Sequence, residues 1–375
     1  MIKGLDRVLI IGGGIGGMAT AIALRKHDVD VEIIELDPEW KVYGAGITIT
    51  GPTLRAFRDL GLLEAIREEG FFASGQRIFL FDGTPLGEQD VPKLEPGLPA
   101  SGAIMRPMLH QIMSAEVLRH GTKVRLGVVA EQFDQHGSGV DVQFSDGTSG
   151  RFSLVIGADG IYSRTRTMLF PDAVAPVYSG QMSWRVVAPR PPELDRTEFY
   201  FGHRNICGIN PCSRDEVYGF VLTPAPEPRR IADEDMPAYL KQLTKDFGGS
   251  MAVIREGIGP HSSIVVRPFE YCLQPEPWQA GRIVLLGDAA HATTPHLASG
   301  AGIAVEDSLV IAEELLRCDG DIDAGLQAFT KRRFERCRFV VETSVAIGER
   351  QLAGAPAPEI AERMGKGMHH LAGAI

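Results

Sequence analysis

Hydrophobic positions along the chain fall into blocks of different period, and the first block is the clearest. Val8–Ile11 is uniformly apolar, stops at Gly12-Gly13-Gly14, and gives way to an apolar-rich stretch ending at Arg25. A second apolar run follows and closes on Glu35. Strand, glycine turn, helix and strand make a βαβ unit over residues 1–36. Between Gly51 and Glu69, the residues Leu54, Phe57, Leu60, Leu63 and Ile66 recur at helical spacing, which predicts an amphipathic helical hairpin. Ala103–Gly121 reads as a further amphipathic helix, stopped by Gly121.

Further along, the period shortens to two. Alternation around Asp146-Gly147 predicts a hairpin leading into a buried strand, Leu154–Ile156. From about Gly180 to Phe269, runs such as "RTEFYFGHRNICGIN", "EVYGFVLTP" and "HSSIVVRPFEYCL" predict a mostly antiparallel sheet. "GRIVLLGDAAH" then restores a buried strand and a glycine-rich turn, ahead of a long helix at Gly302–Arg317. Nucleotide-type elements thus flank an inserted sheet, which implies a discontinuous two-domain α/β plan.

Composition narrows the class without naming it. With 375 residues, 44% hydrophobic and 23% charged, the chain suits a two-domain globular protein. Its formal net charge of -10 argues against a general binder of nucleic acid or anionic membrane. The five cysteines are scattered and never spaced as CxxC, which fits reduced thiols rather than disulfides or zinc. Paired His369-His370 have no further ligand types nearby, so no metal site is expected. No apolar stretch approaches the roughly 20 residues of a membrane span. The run Val8–Ile11 ends on glycines that the fold needs, so it does not read as a signal peptide. A cytoplasmic protein is the expectation; oligomeric state is silent, and a homodimer is compatible with it.

Three glycine turns carry the candidate chemistry. Gly12, Gly14 and Gly17 form G-x-G-x-x-G, with Ile15 opening the helix. The first glycine permits the tight turn, the second lets a pyrophosphate approach, and the third allows close helix–strand packing. Glu35 lies eighteen residues beyond Gly17, at a strand end where a carboxylate accepts from a ribose diol. It disfavours a 2′-phosphate, so the site suits FAD or NAD rather than NADP. The second turn is "GADGIYSRTR", Gly157–Arg166; read by itself, Asp159-Gly160 is simply a turn. The third is "GDAAHATTPHLASGAGIAVEDS", where Asp288 can bind a polyol and Gly300 and Gly302 open a helix. A long, folded-back ligand explains why a second nucleotide-facing strand end recurs some 250 residues downstream.

In this order the three motifs resemble those of the flavoprotein hydroxylases, single-component FAD monooxygenases typified by para-hydroxybenzoate hydroxylase. The resemblance runs from about Val8 to about Leu316. It implies a Rossmann-like, glutathione-reductase-like FAD-binding domain from residues 1–72, 102–178 and 268–316. A substrate-binding sheet domain would comprise 73–101 and 179–267, with C-terminal helices over 317–375. Residue by residue, the likeness places Glu35 on the adenosine ribose and Arg106 against the flavin. Asp159 falls near the FAD and the nicotinamide route, Asp288 on the ribityl chain, and Pro295 beside the isoalloxazine. The loop Gly44–Ile47, with Gly46, would lie behind the flavin. Where many members read G-Q-G-x-N, this chain has Ala298-Ser299-Gly300-Ala301-Gly302, so the backbone donors remain and an asparagine side chain is missing. No second G-x-G-x-x-G is present, so NADH or NADPH is implied as a transient visitor.

The chemistry so implied belongs to the cofactor. Reduction by NAD(P)H and addition of O2 at C4a give a hydroperoxide that delivers OH to a small electron-rich aromatic, a phenol or hydroxylated N-heteroaromatic. Substrate and catalytic contacts are expected from Arg185, His203, Tyr218 and Pro295, with Trp184, Tyr200 and Phe220 as further candidates. Each has a plainer alternative. Arg185 also fits an ion pair, and His203 a hydrogen-bonded structural role. Phe199 and Tyr200 alternate in a strand, so only one faces the site. His291 reads as structural or near the pyrophosphate, and His296 could point either way. A halogenase, epoxidase or reductase on the same fold is the competing enzyme; the W-x-W-x-I-P signature of the halogenases is absent. A non-catalytic FAD-binding protein is the third reading. The chain ends within about sixty residues of the last motif, so a thioredoxin-like domain is not expected.

Overall fold

The apolar run at Arg7–Ile11 becomes the inner strand of a six-stranded sheet. Its order is Gln279–Ala280, Ile283–Leu285, Leu154–Gly157, Arg7–Ile11, Asp30–Glu35 and Lys123–Leu126. The computed structural model describes every residue except Met1, Tyr43, Ser138, His203 and Arg204. Neighbouring strands run parallel, with Ile10 beside Ile156 on one side and Ile33 on the other; only Gln279–Ala280 is antiparallel. Both faces are covered, which is why these strands read as continuous apolar runs. Val8 and Ile10 pack toward Met18 and Ile22 of the helix Ile15–Arg25. Leu9 and Ile11 pack with Val140, Val142 and Phe144 of a three-stranded antiparallel sheet.

That parallel register decides where the motifs meet. Ile11 lies beside Gly157, and Gly157 beside Leu285, so three strands end level with one another. Their following turns carry Gly12, Asp159 and Asp288. Ligands of open α/β sheets bind at such carboxyl ends.

The predicted hairpin forms, with Gly147 at φ +80 in its turn. Ala103–Gly121 is a partial correction. Ser101–Met105 is a strand paired with Gly46–Thr50 and Phe71–Ala73, and the helix is Arg106–Arg119. Pro107 marks the first turn of that helix, where its missing N–H costs nothing. The long helix begins at Gly300 rather than Gly302 and runs to Arg317.

Residues 177–271 supply five strands of a seven-stranded sheet. Its order is Ile264–Tyr271, Val177–Pro189, Glu216–Pro224, Ile206–Pro211, Thr197–Phe201, Gly75–Leu80 and Pro85–Asp90. All pairs are antiparallel except Thr197–Phe201 with Gly75–Leu80. The helices Met236–Leu243 and Gly249–Gly257, which the alternating pattern does not announce, close one face over Trp184, Tyr200, Cys207 and Val221.

A buried ionic chain holds the C-terminal helices to this frame. The Asp307 carboxylate, fully buried, accepts from Gly287 N at 2.9 Å, His291 Nε2 at 2.6 Å and Arg333 Nε at 2.8 Å. Arg333 also meets Glu306 at 2.9 Å, and Glu306 receives two 2.8 Å bonds from Arg336. Arg336 then donates to Leu371 O at the end of the last helix, Ala357–Leu371. Ligand-type atoms of His291, Asp307 and Cys337 cluster within 4.8 Å, but Arg333 already occupies the carboxylate. Removing one partner of a buried pair leaves an uncompensated charge, which costs about 3–5 kcal/mol. Asp307→Asn is therefore expected to lower stability by about that amount, read as a fall in Tm on thermal unfolding.

Candidate active site

The glycine turn leaves one open position between two closed ones. Gly12 sits at φ +108, and a Cβ there would lie 2.3 Å from Ala158 O. A Cβ on Gly17 would lie 2.0 Å from Gly12 O, so the helix could not approach the turn with any larger residue. Gly14 differs: it is exposed, and a Cβ on it would meet nothing within 4 Å. It is also the N-cap of Ile15–Arg25, whose first turn has no side-chain cap and no acid. Unpaired amides and the positive helix end therefore face outward beside Gly14. Ile15 is half-buried against the core.

Glu35 accepts from Gly13 N at 2.7 Å and from Asp37 N at 2.9 Å, which fixes the carboxylate beside the cradle. Sequence reading missed two neighbours. Trp40, at φ +49, donates from Nε1 to Gly13 O at 2.9 Å, and its ring meets His110 edge-on at 5.4 Å. Nothing in the periodicity singles them out, because both act through a contact across the fold.

The second turn does structural work. Asp159 accepts from Ser163 Oγ and, at 2.9 Å each, from Thr165 N and Oγ1, which braces the start of the helix Arg164–Leu169; the N-cap itself is Ser163, whose Oγ accepts from Arg166 N at 2.9 Å. Gly160 turns the chain at φ +78. Buried Arg166 donates to Ile161 O at 2.7 Å and to Ala289 O at 2.9 Å, tying the second turn to the third. In the third turn, Asp288 is solvent-exposed, yet dense surrounding protein desolvates it and raises its pKa, against the pull of His291 and Arg106.

Arg106 sits nearby. Its Nε is buried without a hydrogen-bond partner, and desolvation lowers its pKa while Tyr218 and Asp288 oppose the shift. Pro295 is exposed and opens a short 3-10 turn to Leu297. Ala298 follows at φ +46. Gly300 and Ala301, both half-buried, then begin the long helix, which again has no side-chain cap and no acid in its first turn. Gly302 is buried, and a Cβ there would lie 2.2 Å from Thr53 Oγ1; its demand is for packing.

On the substrate side, register separates the candidates. Trp184 and Tyr200 point into the helix-covered core and are not available to a ligand. Arg185, Tyr218 and Phe220 share the opposite face, as does Phe199. His203 lies outside the described residues. Tyr218 is buried and its hydroxyl pairs with Thr48 Oγ1 at 2.8 Å, a partner the sequence did not suggest. Burial raises its pKa. Gly46 makes this junction: a Cβ there would fall 2.2 Å from the Tyr218 ring and 2.5 Å from Cys212 Sγ. Arg185 bonds Ser183 Oγ at 3.2 Å and, among the described residues, has no carboxylate partner. Desolvation lowers its pKa, as does the nearby Arg106.

Open Gly14, uncapped amides at two helix N-termini, and Asp288 beside Arg106 together fit a bound FAD. The chain matches the family model described as FAD binding domain over residues 6–344. A 2-heptyl-3-hydroxy-4(1H)-quinolone synthase of Pseudomonas aeruginosa is 32% identical, with 91% of this chain and 88% of that protein covered. A 3-amino-4-hydroxybenzoate 2-monooxygenase of Streptomyces platensis is 30% identical over 95% of this chain and 91% of its own length. Klebsiella pneumoniae HpxO, solved with FAD and uric acid, superposes with a TM-score of 0.85 at 22% identity, covering 98% and 92% of the two chains. The fold and site define an FAD-binding oxidoreductase. The chain belongs to the FAD binding domain family and is an NAD(P)H-dependent flavoprotein monooxygenase.

Two outcomes test the site. Gly14→Asp places a preferred N-cap residue where space is open, so stability should hold or rise by about a few tenths of a kcal/mol. The same carboxylate repels the pyrophosphate, so FAD affinity measured by calorimetry should fall at least about 100-fold, near 2.7 kcal/mol. The second concerns His296, buried, bonded to Thr294 Oγ1 at 2.9 Å, and pushed by desolvation down to about 4. Between pH 6.5 and 4 the unfolded chain binds a proton that the folded histidine refuses. Stability should fall by about 3 kcal/mol across that window as pH drops. Urea unfolding of His296→Gln should lack this component.

Proposed function

We propose that the protein hydroxylates a small electron-rich aromatic, a phenol or hydroxylated N-heteroaromatic, using O2 and NADH or NADPH. The observation that carries this reading is Arg185: a largely buried guanidinium that has no acid among the described residues, on the same sheet face as Tyr218 and Phe220 and beside Arg106. Relatives named for a hydroxyquinolone and an aminohydroxybenzoate support the substrate class. Bound FAD, once reduced, supplies the activation of O2 that the side chains lack.

The residues then divide the work. Amides at Gly14–Ile15 and the start of Ile15–Arg25 hold the pyrophosphate, Glu35 takes the ribose, and Asp288 the polyol chain. The N-terminus of Gly300–Arg317 offers amide donors and a positive dipole to the negatively polarised edge of the ring system. Arg185 meets the acidic oxygen of the substrate and favours its ionised form, which enriches the aromatic ring. Tyr218 stays neutral, held by Thr48, and orients that oxygen rather than acting as base. Phe220 and Phe199, ring centroids 6.2 Å apart, exclude water from the reacting face. In this reading residues 1–72, 102–178 and 268–316 carry the cofactor, and 73–101 with 179–267 carry the substrate. A cytoplasmic enzyme, monomer or homodimer, is the setting proposed. Among the described residues no helix is long and apolar enough to cross a membrane.

Purified enzyme with FAD should oxidise NADH or NADPH faster when a suitable phenol or N-heteroaromatic is added, and the product should gain one oxygen by mass spectrometry. Tight FAD with no nicotinamide oxidation across such a panel would sink the reading. Arg185→Met should raise KM about 10- to 100-fold, consistent with losing a charged hydrogen bond of about 1.5–3 kcal/mol.

A further inference from the structure

Only one face of the seven-stranded sheet is closed by its own helices. On the other, pairing register lays out rows of side chains across the strands. One row runs Val265, Arg185, Phe220, Gly208, Phe199, Ile78. The next runs Arg267, Ser183, Leu222, Ile206, Phe201, Leu80. Each row carries an arginine toward one end and apolar residues toward the other. Phe199, Phe201, Ile206 and Leu222 are half-exposed and Leu80 is 38% exposed. Among the described residues, none of these five belongs to a buried apolar cluster.

The outward positions of a sheet open to water ordinarily alternate to polar residues, and these do not. A contiguous apolar strip left uncovered marks a binding surface. Its position says for what. The adjoining row, Tyr218, Asn210 and Thr197, meets the small sheet: Ala45 and Ala103 pack with Tyr218, and Thr197 lines a small cavity with Phe71, Ala73 and Ser101–Ala103. The strip therefore continues straight out of the candidate active site, starting at the Arg185–Phe220 pair. In the middle of the nearer row, Gly208 lets the Phe220 ring lie down on the sheet, since a Cβ there would fall 2.2 Å from that ring. This keeps the strip flat where a larger residue would block it.

We propose that the strip binds an apolar tail of the substrate, making the substrate an amphiphile with an acidic aromatic head and an alkyl or prenyl chain. The proposal rests on the hydroxylase reading. The head meets Arg185, with Arg267 at the rim, and the chain crosses the strands past Phe199, Leu222, Ile206 and Phe201 toward Leu80. Four inter-strand steps separate the strands of Arg185 and Leu80, about 19 Å at roughly 4.8 Å each. That length accommodates a tail considerably longer than the ring.

The test uses FAD-loaded enzyme and two homologous series, 4-alkylphenols and 2-alkyl-4-hydroxyquinolines, from methyl to nonyl. Kd is read from the perturbation of the flavin absorbance. Each added methylene should tighten binding about two- to fourfold over the first several carbons, and Leu222→Asp should flatten that slope. A Kd indifferent to chain length, with short phenols still hydroxylated, overturns the tail and leaves the hydroxylase standing. Neither flavin perturbation nor nicotinamide oxidation with any member overturns the hydroxylase reading, and the tail with it. A flat slope together with a dimer that Leu222→Asp dissociates assigns the strip to a second copy of the chain and overturns the proposal.

Discussion

Asp307 is the point on which the rest of the molecule leans. One carboxylate, removed from water, holds the backbone of the Gly287 turn, the ring of His291 and the guanidinium of Arg333. Burial alone would lower the pKa of His291, but Cys337 and Asp307 outweigh it and raise the value well above normal. Burial alone would likewise raise Asp307, and His291 with Arg333 reverse the sign. Each member is stable as a charge only because the others are there. The helix Ile322–Leu352, far along the chain from the first motif, thereby sets the turn that presents Asp288.

A second constraint acts between layers, and it is steric. The first and second glycine turns touch through Gly12 and Ala158, and the second and third are clamped by Arg166 on Ala289 O. The three strand ends form one surface because nothing larger than hydrogen fits between the first two. Gly46 plays the same part where the small sheet meets the seven-stranded one, letting Tyr218 and Cys212 close on the backbone. Gly46 and Ile47, expected in a loop behind the flavin, open the strand Gly46–Thr50 because they pair with Met105 and Ile104, and what Gly46 demonstrably controls is how near Tyr218 can come.

Parity along the inserted strands settles which aromatics face the site. Tyr200 hydrogen-bonds Glu198 and packs under the helix Gly249–Gly257, whereas Phe199 faces the other way. Trp184 stacks on Tyr239 at 4.6 Å, while its neighbour Arg185 looks toward Arg106 and Tyr218. Adjacent residues thus split between core and site, and the split follows from which face the two short helices cover. Those helices carry no signal in the alternating pattern, so the choice between Phe199 and Tyr200 is made by tertiary packing alone.

The glycine cradle is legible in the chain alone, because each demand there is local. Glycines at fixed spacing, a buried strand before them and an acid at the next strand end are dictated by backbone sterics and charge over a few residues. The parallel sheet and the antiparallel insert were legible for the same reason, since side-chain period reports burial strand by strand. The start of Arg106–Arg119 is not legible in the periodicity because pairing with Gly46–Thr50 claims residues 101–105 as strand, and pairing is a distant event. The motif around Asp159 is legible in the chain, whereas its bonds to Ser163 and Thr165, next to the Arg166 that reaches Ala289, are not. Thr48 on Tyr218, Trp40 on Gly13, and Asp307 behind Gly287 became visible only in three dimensions. Each joins segments far apart in the chain, through contacts that no period or motif encodes.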